Sequence, residues 1–181
     1  MITIREATID DASGIARVRV DGWRAAYAGL MDQRILDGMD AEREAARRAE
    51  LWAAHHADRR GRDLVAVTET GEVAGWAVTG PHRGIGGDLG PGWGELYALY
   101  AHPDHWSTGV GQRLMVEAEA ALRDAGFVRA ALWVLAGNER AASFYERHGW
   151  IEDGATYRDE REIAGDTVVL TERRRRRDLS V

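Results

Sequence analysis

The 181-residue chain predicts a mixed α/β fold, a mostly antiparallel central sheet with helices on both faces. Three observations predict it. Residues 95–101 alternate in an extended pattern and are bounded by Gly94 and Pro103, as a strand would be. Val110, Leu114, Ala118, Ala121, Leu122 and Ala125 then recur at helical steps up to a stop at Gly126. A further strand at 128–135 completes strand–helix–strand, which demands a parallel crossover, while the other strands can be antiparallel.

The elements follow in order. Residues 2–7 form a short first strand, and Asp10 or Asp11 can cap a helix carrying Ile15, Val18, Gly22, Trp23 and Ala26. The aromatics of the next stretch, Trp23 and Tyr27, suit core or cleft wall. A second helix begins after Asp40, with Ala45, Ala49, Trp52, Ala53 and His56 on one face. His55 and His56 are adjacent in sequence, so they point apart and suit the helix C-terminus rather than a metal. Residues 64–69 and 73–79 flank Thr70-Gly71 as a β-hairpin. The glycine-rich stretch 81–94 reads as a surface loop near the central strand. Asn138 can cap a short helix ending at Gly149, and 151–157 and 166–172 can add two final antiparallel strands. The expected organisation is one domain over 1–173, followed by a tail at 174–181, with the run from Arg173 to Arg177 solvated and partly frayed.

Composition narrows the function. The net charge of −6 disfavours nucleic acid and mildly favours cationic partners. Neither a bilayer-spanning apolar run nor a signal segment is legible, and there is no cysteine, so a cytoplasmic protein without membrane association is expected. His102 and His105 lack a further ligand cluster, so no metal is expected. The informative turn is His105-Trp106-Ser107-Thr108-Gly109-Val110-Gly111 at the head of the long helix. Unpaired N–H groups and the positive end of the helix dipole suit an anion such as a diphosphate.

Two blocks carry a resemblance: HPDHWSTGVGQRLM, and after it GNERAASFYERHGW. Together with the element order and the segment VDGWRAAYAGL, they resemble the GNAT superfamily of acetyl-coenzyme A-dependent N-acetyltransferases over nearly the full chain. The family's diphosphate loop runs Gln or Arg, two residues, Gly, one residue, then Gly or Ala. Gly109 and Gly111 match, and Trp106 departs from it. The second block matches the family pattern at Asn138, Ala141 or Ala142, Phe144, Tyr145, Gly149 and Trp150.

The resemblance implies acetyl-CoA as cosubstrate and transfer of acetyl to a primary amine by direct attack in a ternary complex. The acceptor would be a small molecule or a peptide, and relatives allow a homodimer. The backbone of Leu99, Tyr100 and Ala101 would pair with the pantetheine arm. The amides of Trp106, Ser107, Thr108, Gly109, Val110, Gly111 and Gln112 would hold the diphosphate. Asn138 would meet the pantetheine, and Tyr145 would lie at the coenzyme's sulfur.

Chemistry adds two roles. An alkylammonium with a pKa of about 10.4 must lose a proton before attack, and Glu95, at the start of the strand, is the candidate carboxylate, set against a plain exposed strand-end charge. Tyr145, a phenol of pKa about 10, can protonate the departing thiolate. A reading of another class is a non-catalytic acyl-CoA sensor, suggested by Trp106 in the loop.

Overall fold

The structure, a computed structural model, describes residues 2–180. Among them, β1 (Ile2–Glu6), β2 (Arg62–Thr68), β3 (Val73–Pro81), β4 (Trp93–Ala101), β5 (Arg129–Leu135), β6 (Ile151–Ile163) and β7 (Asp166–Asp178) form one sheet. Its order is β1-β2-β3-β4-β5-β7-β6. Only β4 and β5 run parallel, so the sheet is mixed and mostly antiparallel, as expected.

Strand alternation assigns the two faces. Leu64 and Ala66 of β2 join Leu114, Met115, Ala118 and Leu122 of α5 (Val110–Asp124) in one core. Val65 and Val67 face the other way, onto Ile15 and Val18 of α1 (Ala12–Ala26). Gly75 permits close packing of α5, because a Cβ there would stand 2.8 Å from both Leu114 and Val110.

The helical region is more broken than the periodicity suggests. A short α2 (Gln33–Asp37), capped by Asp32, was not legible in the pattern. Asp40 caps α3 (Ala41–Glu50) through the Arg43 N–H, but the chain breaks at Leu51 before α4 (Trp52–His55). His56 lies 2.7 Å from the Trp52 carbonyl through Nδ1 and 3.1 Å from Asp63 through Nε2. It therefore meets the helix end, as expected, and a carboxylate as well.

The arginine run corrects an expectation. It is not a frayed tail but lies within β7, between β5 and β6. Arg175, 3% exposed, meets Glu146 at 3.0 Å and Glu152 at 3.4 Å. Arg174 and Arg176 both meet Asp153, and Arg177 meets Glu119 at 3.1 Å. Pairing with β5 puts the arginines in the sheet, and distant carboxylates offset the cost of burying their charge.

The feature that positions the site is a split between β4 and β5. They pair only from Trp93↔Arg129 to Glu95↔Ala131. Against β3, the register passes from Val78↔Ala98 to Thr79↔Leu96, leaving Tyr97 as an extra residue in β4. Such a bulge bends the strand. Beyond Glu95 the edge of β4 has no strand beside it and borders an open crevice.

Candidate active site

The crevice opens onto the head of α5. Gly109 (φ 88°) and Ser107 (φ 63°) both adopt left-handed backbone, which turns the chain sharply into the helix. Among the described residues, no backbone carbonyl or side chain accepts from the amides of residues 107–112; the first paired amide is Arg113, bonded to the Gly109 carbonyl. Ser107, Thr108 and Gly109 are exposed. Unpaired donors at a helix N-terminus fit a diphosphate.

Trp106 is placed differently from its neighbours. Its amide donates to Pro103, and its indole Nε1 donates to the Ala101 carbonyl at 2.9 Å. The guanidinium of Arg140 stacks 3.7 Å from the ring centroid. Arg140 lies at the second position of α6 (Glu139–Arg147) and makes no ion pair with a described carboxylate. The indole thus holds a cation at the loop that lacks the usual polar side chain. Arg140 carried no sequence signal, because its neighbour across the crevice is distant in the chain.

A cavity of about 450 Å³ runs from this loop along β4. Leu99, Tyr100 and Ala101 form one wall, and Asn138 and Tyr145 the other. Asn138 caps α6 through Oδ1, accepting from Ala141 N–H at 3.1 Å, which leaves its NH₂ free. Tyr145 is 9% exposed and lines the cavity, with no hydrogen bond from its hydroxyl to a described group. Burial pushes its phenol well above the ordinary value, and Tyr100 adds to the rise. Tyr145 is therefore a protonated donor at neutral pH.

A second, smaller cavity of about 100 Å³ adjoins the first, and Tyr27, Tyr100, Trp133 and Leu135 belong to both. Glu95 lines it but is not the exposed strand-end charge weighed as an alternative. It is fully buried, and both oxygens are engaged by Arg83 from the glycine-rich loop. Gly86 brings that loop against Trp133: a Cβ there would stand 2.6 Å from the indole. Glu172 of β7 also lines this cavity; in the sequence it is one acidic residue of a strand, without a motif around it. Burial raises its pKa, helped by Asp159.

Among the described residues, no helix is long and apolar enough to cross a membrane.

The family described as "Acetyltransferase (GNAT) family" matches residues 23–150. The uncharacterized N-acetyltransferase YuaI of Bacillus subtilis is 30% identical over 154 residues, 82% of this chain and 79% of that protein. A spermidine N(1)-acetyltransferase of Thermoplasma acidophilum is 24% identical over 153 residues, covering 84% of this chain and 90% of its own. The PaiA N-acetyltransferase of the same organism, solved with coenzyme A, superposes with a TM-score of 0.67 at 19% identity, over 96% of this chain and 99% of that one. A split parallel strand pair, a cradle of free amides and a buried phenol thus coincide with a family match over most of the chain, which belongs to the GNAT family of acetyltransferases.

Proposed function

We propose that the protein transfers an acetyl group from acetyl-CoA to a primary amine by direct attack while both substrates are bound. The observation that carries this reading is that Ser107, Gly109, Gly111 and Gln112, from the stretch of unpaired amides, line one continuous cavity with Tyr145. When bound, acetyl-CoA supplies a thioester and a thiolate leaving group.

The chain's own groups then have separable tasks. The amides of residues 107–112, with Arg140 beside them, fit the diphosphate. Leu99, Tyr100 and Ala101 offer an unpartnered strand edge to the pantetheine, and the free NH₂ of Asn138 faces the same cavity. A β4 amide near Leu99 is placed to polarise the thioester carbonyl. Tyr145 gives its proton to the sulfur. The second cavity receives the amine, whose ammonium proton passes to a carboxylate there; Glu95 and Glu172 both line it, with Asp159 beside Arg161.

The test is direct. Protein, acetyl-CoA and a panel of primary amines, including spermidine and an amino acid, are mixed, and free thiol is followed. Amine-dependent thiol release with a matching acetylated amine supports the proposal. Coenzyme A binding without thiol release on any amine would overturn it in favour of an acyl-CoA sensor.

A further inference from the structure

Resting on that reading, we propose that Glu172, not Glu95, is the carboxylate that receives the acceptor's ammonium and takes its proton. Charge pairing within the second cavity separates the two. Arg83, from the loop after β3, engages both oxygens of Glu95. On β6, Arg161 holds Asp159 through Nε at 2.8 Å and Nη2 at 2.7 Å. Two guanidiniums thus neutralise two carboxylates. Glu172 is the carboxylate in excess: no described residue makes a hydrogen bond or an ion pair to it.

Every other group facing the cavity is unsuited to accept a proton. Tyr97 is pushed up to about 12, mainly by burial and then by the Glu95 charge, and its hydroxyl donates to the Pro81 carbonyl at 2.5 Å. Burial also raises Tyr27 at the end of α1 and Tyr100 of β4, so both stay protonated. Glu172, raised chiefly by burial and then by Asp159, holds a proton more tightly than an ordinary carboxylate, which suits a base.

The cavity also suits a polar guest that can accept a hydrogen bond. The Trp133 Nε1 is buried without a hydrogen-bond partner. Trp23, Tyr27, Tyr100 and Trp133 line the same space, and aromatic side chains attract an ammonium; guanidiniums of Arg19 and Arg161 already lie over the Trp23 ring and that of Arg174 over Trp133. A volume of about 100 Å³ suits an aminoalkyl end rather than a whole large substrate.

R–NH₃⁺ gives one proton to a Glu172 oxygen, and the freed lone pair forms the C–N bond to the acetyl carbon. The C–S bond breaks, and its electron pair takes the Tyr145 proton. The second nitrogen proton returns to the Tyr145 oxygen, and Glu172 loses its proton to solvent. The products are the N-acetylamine, free thiol and one proton.

Two measurements test this. The first is a carboxyl-carbon NMR titration of the protein with coenzyme A bound, the Glu172 signal being assigned by its loss in Glu172→Gln. We expect the signal to titrate above the ordinary glutamate range and to move down on adding ethylammonium; ordinary titration indifferent to ethylammonium would overturn the assignment without touching acetyl transfer. The second compares ethylamine with 2,2,2-trifluoroethylamine, which is largely neutral at pH 7. Glu172→Gln is expected to lower kcat/KM about 10²-fold or more for ethylamine and less than about tenfold for the fluorinated amine. In the pH–rate profile, Glu95→Gln is expected to keep the acidic limb and move its midpoint only downward, because the Glu95 charge adds to the rise at Glu172, whereas Glu172→Gln removes the limb. Equal losses on both amines, or a limb that is lost with Glu95→Gln and not with Glu172→Gln, would overturn the proposal. Absence of thiol release from the unmodified protein on every amine strikes the proposed function itself and is read separately from the titration.

Discussion

Arg83 holds Glu95 with its backbone and its side chain at once. Its N–H donates to Oε2 at 3.0 Å, Nε donates to Oε1 at 3.0 Å, and Nη2 donates to Oε1 as well. The glutamate is fully buried while its partner is nearly half exposed, so the pair fastens the glycine-rich loop to β4. Removing only the cation strands a buried charge. Arg83→Met is expected to cost on the order of 3 kcal/mol in thermal or denaturant unfolding, and the added Glu95→Gln change should recover part of it. No recovery in the double variant would contradict a charge-based role.

Tyr145→Phe keeps the ring, its 5.4 Å edge contact with Phe144 and the packing. Turnover should fall by roughly 10²–10⁴-fold, with coenzyme A affinity unchanged by calorimetry. Equal turnover would remove the phenol from the reaction.

The Arg140–Trp106 stack predicts a loss confined to the phosphate end. Arg140→Met should weaken coenzyme A binding by about three- to tenfold, the scale of an exposed cation contact, and leave pantetheine binding alone. Trp106→Leu should do the same by releasing the guanidinium. Equal weakening of both ligands would point to general damage.

The strand placement of the arginine run predicts a strong position dependence. Arg175→Met removes a buried cation that pairs with Glu146 and Glu152 and donates to the buried Trp150 carbonyl, and is expected to destabilise by about 1–3 kcal/mol through that unsatisfied carbonyl. Arg173→Met, at an exposed side chain 3.5 Å from Glu152, should cost within about 0.5 kcal/mol. Similar Tm values for the two variants would argue for a tail after all.

Glu172 also predicts a pH signature in stability. Its pKa is raised in the fold, so the folded protein holds that proton more tightly than the unfolded chain. Folded stability is therefore lost as pH climbs from the ordinary glutamate value through the raised one. Glu172→Gln removes this loss, so its Tm relative to the parent should rise as the pH climbs through the window above the ordinary glutamate value. A constant difference across that window would contradict the raised value.

How much of this was legible depends on how local each feature is. The loop at residues 106–111 could be read because its signal is contiguous: a strand, Gly109, Gly111 and a helix. Asn138 was legible as a cap for the same reason. Arg175 was not, since its burial depends on β5 and on Glu146 and Glu152, all far away in sequence. The Glu95–Arg83 pair forms across a glycine-rich loop whose path no periodicity describes. Glu172 matters only because Arg83 and Arg161 are already taken, which is a property of the assembled cavity. The proposed coenzyme side rests on local geometry, and the proposed acceptor side on long-range pairing.

The most direct measurement is a crystal structure of the protein with coenzyme A. The account predicts the diphosphate on the amides of residues 107–112, with Arg140 beside it, and the sulfur within hydrogen-bond reach of the Tyr145 hydroxyl. A diphosphate bound elsewhere, or a sulfur remote from that hydroxyl, would contradict it.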